Sequence, residues 1–166
     1  MTGTTGITGR QIRDASLTAD DLSPALRAQL APRRPTETAV ANAAPQHLPP
    51  GELVPVQYTE FSGDGFDAAT GEWTCPESGD HLISLGLQME MQAHDEYYVF
   101  VFVNGVRTRD VLYGVAPTYG YFGGSASVVL KLGAGDRVGT RAYCQTGPAR
   151  VVRQPFRTYV SLTPLR

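Results

Sequence analysis

The chain has 166 residues, of which 42% are hydrophobic and 18% charged, and its formal net charge is -2. This length suits one globular domain with an appendage and excludes a large multidomain enzyme. The near balance of charge excludes the positive field that gathers nucleic acid or anionic lipid, so neither is expected as a partner.

The first nine residues contain neither a basic opening followed by an apolar stretch nor a small-residue cleavage pattern. No stretch of the sequence approaches the length of a membrane span. We therefore expect no secretory leader and no membrane insertion.

The composition changes near residue 50. Seven of the twelve prolines lie between Pro24 and Pro55, whereas all fifteen aromatic residues lie from Tyr58 onward. Only the second part, with about 115 residues and every aromatic side chain, can build a substantial core. We predict an attachment segment with a short helix over residues 1–30, a Pro- and Ala-rich linker over 31–50, and a folded head over 51–166.

The attachment segment contains a helix start signal, because Ser23 is a good N-cap and Pro24 suits the first helical position. Residues 25–30 have the composition of a short helix. The apolar residues of the segment recur at intervals of about five, which matches neither a helix nor a strand for long. They are expected to anchor the chain to another protein, and the predicted anchor residues are Ile7, Ile12, Leu17, Leu22 and Leu26.

The head contains strand patterns and no convincing amphipathic helix. Residues 81–91 alternate between apolar and polar positions, as a half-buried strand does, whereas 97–103 are apolar or aromatic on both faces. Asn104-Gly105 is a strong hairpin signal. The predicted strands are 54–61, 72–75, 81–91, 97–103, 106–112, 125–130, 138–144 and 156–162. The fold class is therefore all-β, an antiparallel sandwich or barrel.

Four stretches resemble a known family in the same order along the chain. Residues 66–81, FDAATGEWTCPESGDH, are similar to the F-D-x-x-T-G-x-F-T-C-P-x-x-G-x-Y signature of the globular head of the complement q-subcomponent. Residues 99–105, 124–130 and 132–138 resemble its strand-Asn-Gly turn, its G-S-A-x-L-x-L strand and its L-x-x-G-D-x-V corner. Residues 156–159, FRTY, depart from its Phe-Ser-Gly-Phe.

The resemblance implies a tumour-necrosis-factor-like antiparallel jelly roll of about eight to ten strands that forms a homotrimer, mostly without catalytic activity. In such trimers the strand equivalent to 81–91 lies in the sheet that faces the neighbouring subunits. The residues that the resemblance places near the three-fold axis are Ser84, Gly86, Gln88 and Glu90. Glu90 would need a partner in order to be buried there.

The first segment carries a second resemblance. Residues 7–26, ITGRQIRDASLTADDLSPAL, are similar to I-x-D-G-S-I-x-x-x-D-L segments ahead of bacterial and phage fibre or surface domains. This resemblance implies a partner for residues 1–30 in a virion capsid or tail protein.

A cluster of tyrosine and arginine follows the hairpin. These amphipathic groups are typical of recognition surfaces, although they also pack well at subunit interfaces. The predicted recognition residues are Arg107, Arg109, Tyr113 and Tyr119. Phe122 is expected to pack in the core or in an interface.

Few residues suggest catalysis or metal binding. The three histidines, His47, His81 and His94, are too scattered for a zinc site. Asp95 and Glu96 are adjacent acids that are weak candidates for calcium, and a solvated loop is the favoured interpretation. No cofactor is expected.

The sequence leaves open whether the two cysteines form a disulfide. Cys75 and Cys144 can form at most one internal disulfide, and neither lies in a CxxC motif. A disulfide and two buried thiols remain about equally open.

The favoured hypothesis is a non-enzymatic virion protein, a trimeric bacteriophage fibre or capsid decoration knob, that is made in the host cytoplasm and displays its head to a host surface glycan or protein. An alternative is a secreted or surface recognition module of a bacterium with the same fold. A third hypothesis, a small jelly-roll hydrolase, would need paired carboxylates, but neighbouring residues on one strand point apart.

Overall fold

The computed structural model describes residues 22–30, 34–154 and 156–165. The chain divides into two units, residues 1–33 and residues 34–166. Helix α1 (Pro24–Leu30) belongs to the first unit, and every described strand belongs to the second.

The start of α1 follows the predicted capping chemistry. The Ser23 Oγ accepts a hydrogen bond from the Leu26 amide at 3.2 Å, and the Ser23 carbonyl accepts one from the Arg27 amide at 2.9 Å. These contacts satisfy donors that a helix leaves unpaired in its first turn. The prediction of a short helix capped by Ser23 is confirmed.

The described part of the second unit contains twelve strands. Their bounds are β1 (Glu37–Val40), β2 (Gln46–Leu48), β3 (Leu53–Pro55), β4 (Glu60–Ser62), β5 (Trp73–Thr74), β6 (Gly79–Met91), β7 (Glu96–Val103), β8 (Val106–Val115), β9 (Gly120–Leu132), β10 (Arg137–Cys144), β11 (Ala149–Val151) and β12 (Tyr159–Pro164).

The strands form two antiparallel sheets. Sheet A contains β4, β1, β12, β6 and β9 in that order, and β11 with β2 continues the β12 side of β6 near its end. Sheet B contains β3, β10, β7 and β8, and β5 pairs with the start of β10. The predicted antiparallel jelly-roll sandwich is confirmed.

The longest pairing joins β6 to β9. It runs without a shift from Gly79 opposite Leu132 to Met91 opposite Gly120. At one point the two backbones come very close, because a Cβ on Gly123 would lie 2.1 Å from the Leu87 carbonyl oxygen. Glycine is required there, since backbone atoms cannot move aside as a side chain can.

The core lies between the two sheets. The predicted inner face of β6 is fully buried, from Ile83 through Met91, and Val99 and Val101 of β7 face it from sheet B. On β10 the predicted inward face, Val138, Thr140, Ala142 and Cys144, is buried as well. The only buried polar member of that face, Thr140, has its hydroxyl 2.7 Å from the Tyr58 hydroxyl, so its burial leaves no lost hydrogen bond.

The hairpin between β7 and β8 follows its sequence signal. Asn104 and Gly105 both have positive φ, 52° and 77°, as the two-residue turn requires. The Asn104 side chain also fixes a second turn, since its Nδ2 donates to Asp136 Oδ1 at 2.8 Å. The hairpin prediction is confirmed, and β8 extends three residues beyond its predicted end.

Three further predicted strands differ from the structure by more than two residues at an end. The predicted strand 125–130 is longer, since β9 begins at Gly120 and ends at Leu132. The predicted strand 54–61 is divided into β3 and β4, which pair in different sheets. The closing strand starts at Tyr159 rather than at Phe156, because Arg157 and Thr158 donate their amides to the Gln154 carbonyl in a turn.

The predicted linker over 31–50 is wrong for its described part. Strand β1 pairs with β12 and β4, and β2 pairs with β11, so both are inside sheet A. The folded head therefore begins near residue 34, not residue 51. Ala39, Ala41 and Leu48 are fully buried, which shows that short apolar side chains in a Pro- and Ala-rich stretch still fill the core.

Asp95, in the loop between β6 and β7, is not solvated as expected, although Gln92, Ala93 and His94 of that loop are exposed. Asp95 is 2% exposed, and its carboxylate accepts hydrogen bonds from the Thr146 amide and hydroxyl and from the Glu96 and Gly147 amides. It also accepts one from the Cys144 thiol at 3.0 Å. Burial raises the pKa of the Asp95 carboxyl, but the hydrogen bonds outweigh burial and hold its pKa below the usual value.

Both cysteines are buried free thiols, which resolves the disulfide alternative. Cys144 donates to Asp95, whereas Cys75 donates to the Glu77 carbonyl at 3.0 Å. Burial raises the pKa of both thiols, in the case of Cys144 to about 12.

Replacement of Gly123 by Ala should destabilise the head by about 1 to 3 kcal/mol, because the new methyl group collides with the β6 backbone. The measurement is the midpoint of urea unfolding. The control is Gly124→Ala, whose Cβ would meet its nearest neighbour, Leu112 Cδ2, at an ordinary 3.5 Å. Equal midpoints for the two variants would contradict the close approach.

Replacement of Asp95 by Asn should cost about 1 to 3 kcal/mol, since an amide group cannot accept from donors on both sides. The folded-state pKa of Asp95 lies below the unfolded value of about 3.9, so its contribution is complete above that pH and is lost as pH falls through the folded-state pKa.

The measurement is the free energy of unfolding between neutral pH and pH 3, with the exposed Asp64→Asn as control. Asp95→Asn should flatten part of this pH dependence and Asp64→Asn should not. A wild-type pH profile in Asp95→Asn would overturn the assignment.

Candidate recognition and assembly surfaces

The two sheets present outer faces of different chemistry. Residues directly opposite on neighbouring strands point to the same face of a sheet, so the register shows which side chains lie side by side. Sheet A carries a row of small hydroxyl side chains, and sheet B carries a row of large apolar and aromatic ones.

The hydroxyl row of sheet A crosses five strands in one register line. Its members in spatial order are Ser62, Thr38, Ser161, Ser84 and Ser127. The Ser84 and Ser127 hydroxyls are 2.8 Å apart, and those of Thr38 and Ser161 are 3.2 Å apart. Four of the five hydroxyls therefore hydrogen-bond each other in pairs, so another surface could cover these four without leaving them unpaired.

The other predicted axis residues lie on the same outer face of β6. Gly86 faces the ring of Tyr159, the Gln88 Oε1 accepts a hydrogen bond from Arg157, and the Glu90 carboxylate accepts one from the Tyr119 hydroxyl. Glu90 thus has the partner that its burial would require.

The Gly86 contact also concerns the FRTY departure. Tyr159 lies directly opposite Gly86, and a Cβ on Gly86 would lie 2.4 Å from the Tyr159 ring. The glycine that allows this close contact with Tyr159 is therefore Gly86 on β6, and not a residue of the FRTY stretch.

The aromatic row of sheet B crosses four strands. Leu53 on β3 lies opposite Tyr143 on β10, which lies opposite Tyr98 on β7, which lies opposite Tyr113 on β8. The Tyr98 ring centroid is 4.9 Å from that of Tyr113 and 5.9 Å from that of Tyr143. With strands about 4.8 Å apart, the row spans about 14 Å.

Phe100 extends this row along β7. Its ring lies 5.9 Å from that of Tyr98 and almost parallel to it, at 4°. The Arg107 guanidinium covers Phe100, with Cζ 3.9 Å from the ring centroid. We call Leu53, Tyr143, Tyr98, Tyr113 and Phe100 together the aromatic platform.

Two charged groups beside the platform, Arg107 and Glu96, have hydrogen-bond partners, whereas a third, Arg141 opposite Phe100, lies over the Phe102 ring with Cζ 4.3 Å from its centroid. Arg107 donates from Nε to Asp110 Oδ1 at 2.7 Å and from Nη2 to Asp110 Oδ2. The Tyr98 hydroxyl donates to Glu96 Oε2 at 3.0 Å, and this hydrogen bond raises the pKa of the Tyr98 phenol. Leu53, Tyr143, Tyr98 and Phe100 of the platform line an open depression of about 490 Å³ together with Arg107 and Gln145, and Tyr113 lies beside it, next to Tyr98.

The predicted recognition residues are divided between the two sheets. Tyr113 is part of the aromatic platform, and Arg107 covers Phe100 of the platform. Arg109 is exposed on β8, and its guanidinium donates to the Thr108 carbonyl. Tyr119 instead lies next to Glu90 and Arg150 in a small polar depression of about 230 Å³. Phe122 packs against the core, as expected.

Asp95 and Glu96 bind different partners. Asp95 is enclosed by the Thr146-Gly147 turn, whereas Glu96 accepts from Tyr98. The pair therefore does not provide two carboxylates that face one ligand. In residues 22–30, 34–154 and 156–165, no three His, Cys, Asp or Glu side chains are grouped as a metal site. The calcium site stays a prediction.

The histidine prediction can be followed for His81, which is buried. Its Nδ1 is 3.1 Å from the Gly79 carbonyl, and its Nε2 is 3.7 Å from Cys75 Sγ. The ring also packs edge-on against Trp73.

The predicted anchor is only partly within the described residues. Three of its residues, Ile7, Ile12 and Leu17, lie outside them. Leu22 lies two residues before α1, and Leu26 lies in α1 and is exposed. No described helix is long and apolar enough to pass through a membrane.

Four platform residues were not predicted from the sequence: Tyr98, Phe100, Tyr143 and Leu53. A signal was present, because residues 97–103 are apolar on both faces although one face of an antiparallel sheet usually meets solvent. That pattern indicates a second apolar surface on the outside. It does not show which residues of the other strands complete it.

Comparisons with known proteins identify the fold. No protein-family model matches the sequence, and no curated protein matches it. Among solved structures, the Eiger tumour necrosis factor of S. frugiperda superposes with a TM-score of 0.57 at 13% identity, over 79% of this chain and 92% of that one.

Two further structures agree. The globular domain of the zebrafish complement 1qA protein gives a TM-score of 0.56 at 13% identity, over 80% of this chain and 97% of that one. Murine APRIL gives 0.55 at 15%, over 78% and 98%. The chain therefore has the jelly-roll fold shared by tumour-necrosis-factor-like and complement q-subcomponent head domains.

Proposed function

We propose that the protein is a non-enzymatic, homotrimeric recognition head that residues 1–30 attach to a bacteriophage fibre or capsid surface. The observation that carries the proposal is the hydroxyl row on the outer face of sheet A. The fold and the resemblance of the first segment to fibre proteins support it.

The hydroxyl row suits assembly because its side chains are small and bonded to one another. Small side chains let a neighbouring subunit approach the sheet closely, and internal hydrogen bonds reduce the cost of removing water. Three copies related by a three-fold axis would each use this face once against one neighbour and would close the ring.

The edge of the same face contains polar groups that suit the axis. Glu90 and Tyr119 are hydrogen-bonded, and Arg150 lies directly opposite Glu90 on β11. A carboxylate near a three-fold axis meets two copies of itself, so nearby donors and a cation reduce the repulsion.

Recognition would use surfaces that assembly leaves free. The outer face of sheet B lies on the other side of the sandwich from the hydroxyl row, so each trimer would present three such faces to a host surface. Three equivalent weak sites on one particle bind a repetitive surface more tightly than one site does.

Asp95 and Glu96, the adjacent acids of the head, do not favour the hydrolase alternative. Asp95 already accepts from several donors inside the β6–β7 loop, and Glu96 accepts from Tyr98. Paired-carboxylate chemistry needs both groups to face one substrate.

Replacement of Ser127 by Arg should break the trimer, because it places a long charged side chain on the close-packed face. The measurement is molar mass by light scattering coupled to size exclusion. The wild type should give about 54 kDa, three times the 17.9 kDa chain, and Ser127→Arg should give the monomer.

Ala68→Arg, at an exposed position between β4 and β5, is the control and should remain trimeric. A monomeric wild type, or a trimeric Ser127→Arg, would overturn assembly through the hydroxyl row.

Removal of residues 1–30 should abolish incorporation into particles and leave the head folded, because every described strand begins after residue 33. The measurements are the protein content of purified particles and the thermal midpoint of the isolated truncated protein. Retention of the truncated protein in particles would contradict the attachment role.

A further inference from the structure

We propose that the aromatic platform of sheet B is a binding site for a neutral saccharide, held by the faces of its pyranose rings. This inference rests on the proposed recognition function and names the ligand class. It is argued from the shape, charge and hydrogen-bonding capacity of the platform.

The shape of the platform favours a flat ligand. Leu53, Tyr143, Tyr98 and Tyr113 form one line across four strands, with Tyr113 58% exposed. The depression lined by Leu53, Tyr143, Tyr98 and Phe100 is open, with Tyr113 beside it, so a ligand would be covered on one side and would keep the other side in water. It is not the enclosed pocket that surrounds a small apolar molecule.

Ring faces offer a specific attraction to sugars. The face of an aromatic ring carries negative charge from its π-system, whereas the C–H bonds on one face of a pyranose carry weak positive charge. Tyr98 and Tyr113 are neighbours on adjacent strands. Two neighbouring rings can therefore contact successive units of an oligosaccharide that lies across the strands.

The charge of the depression favours a neutral occupant, since Arg107 is the charged residue in its lining and the neighbouring Arg141 lies over the Phe102 ring. The Arg107 guanidinium is bound by both oxygens of Asp110 and stacks on Phe100, so it offers no unpaired positive charge to an anion. One oxygen of the Glu96 carboxylate accepts a hydrogen bond from the Tyr98 hydroxyl, so the platform does not present an isolated carboxylate to a cation.

The edge retains hydrogen-bonding capacity for hydroxyl groups. Arg107 has five N–H donors, of which Asp110 takes two. The Gln145 amide provides both donor and acceptor groups beside the platform. The aromatic rings are thus bordered by the Arg107–Asp110 pair and the Gln145 amide. This arrangement suits a molecule whose ring faces are apolar and whose rim carries hydroxyl groups.

The probes are three neutral tetrasaccharides, cellotetraose, maltotetraose and tetra-N-acetylchitotetraose, titrated into isotope-labelled full-length protein. At least one should bind with a Kd on the order of 1 mM or below and shift the amide signals of β7, β8 and β10. The absence of any such shift up to about 10 mM of all three would overturn the proposal.

Tyr113→Ala is the decisive variant, because its exposed ring can be removed without opening the core. It should weaken binding at least about tenfold, a change of about 1.4 kcal/mol in binding free energy. Tyr121→Ala removes an equally exposed ring, 62% exposed, from β9 of sheet A and should leave binding unchanged. Equal effects of the two variants would overturn the proposal.

Tyr98→Phe separates stacking from hydrogen bonding. It keeps the ring and removes the hydroxyl that Glu96 holds, so binding should stay within about threefold of the wild type if ring faces carry the affinity. A loss as large as that of Tyr113→Ala would contradict recognition by stacking.

Two further outcomes have a clear meaning. Binding of a heparin tetrasaccharide alone would show an anion site and overturn the neutral class. A fall in molar mass on Tyr113→Ala would show that a second copy covers the platform. Saccharide binding and trimer mass are read separately, so a trimer that binds no probe defeats only this inference, and a monomer that binds defeats only the assembly.

Discussion

The unbroken pairing of β6 with β9 is the interaction on which the rest of the structure depends. Its register fixes which side chains of β6 face inward, where Ile83 and Leu85 contribute to the core, and which face outward, where Ser84 meets Ser127. A shift of one residue would exchange these two sets and place hydroxyls in the core. The contact between Gly123 and the β6 backbone fixes the same register sterically, since any other residue would collide there.

The outer faces of the two sheets share the same strand geometry and differ in the side chains that lie side by side along one register line. On sheet A, the side chains in one register line are short and four of the five are hydrogen-bonded in pairs, so these hydroxyls need few hydrogen bonds from water. On sheet B, the same kind of line contains long aromatic side chains that pack on each other and on Arg107. One face is suited to contact with an identical surface and the other to a ligand, and the sandwich keeps them on opposite sides.

The features that the sequence predicted are those with a local cause. The alternation of residues 81–91 and the Asn104-Gly105 turn depend only on neighbouring residues, so the fold class and the central strands could be identified. Strand β1 has no such signal, because Glu37–Val40 becomes a strand through pairing with β4 and with β12, the latter about 120 residues away. The aromatic platform has the same origin, since Leu53, Tyr98 and Tyr143 come together through strand order. Arg107 and Tyr113 were predicted from residue type alone, since arginine and tyrosine are typical of recognition surfaces.

The thiols of Cys75 and Cys144 make the fold independent of oxidation. They bind different acceptors, both are buried, and their raised pKa values keep them protonated and unreactive at neutral pH. No covalent link between distant parts of the chain has to form before the sandwich is complete. The head can therefore reach its final structure in reducing surroundings and keep the same structure in oxidising ones, with no chemical step between the two.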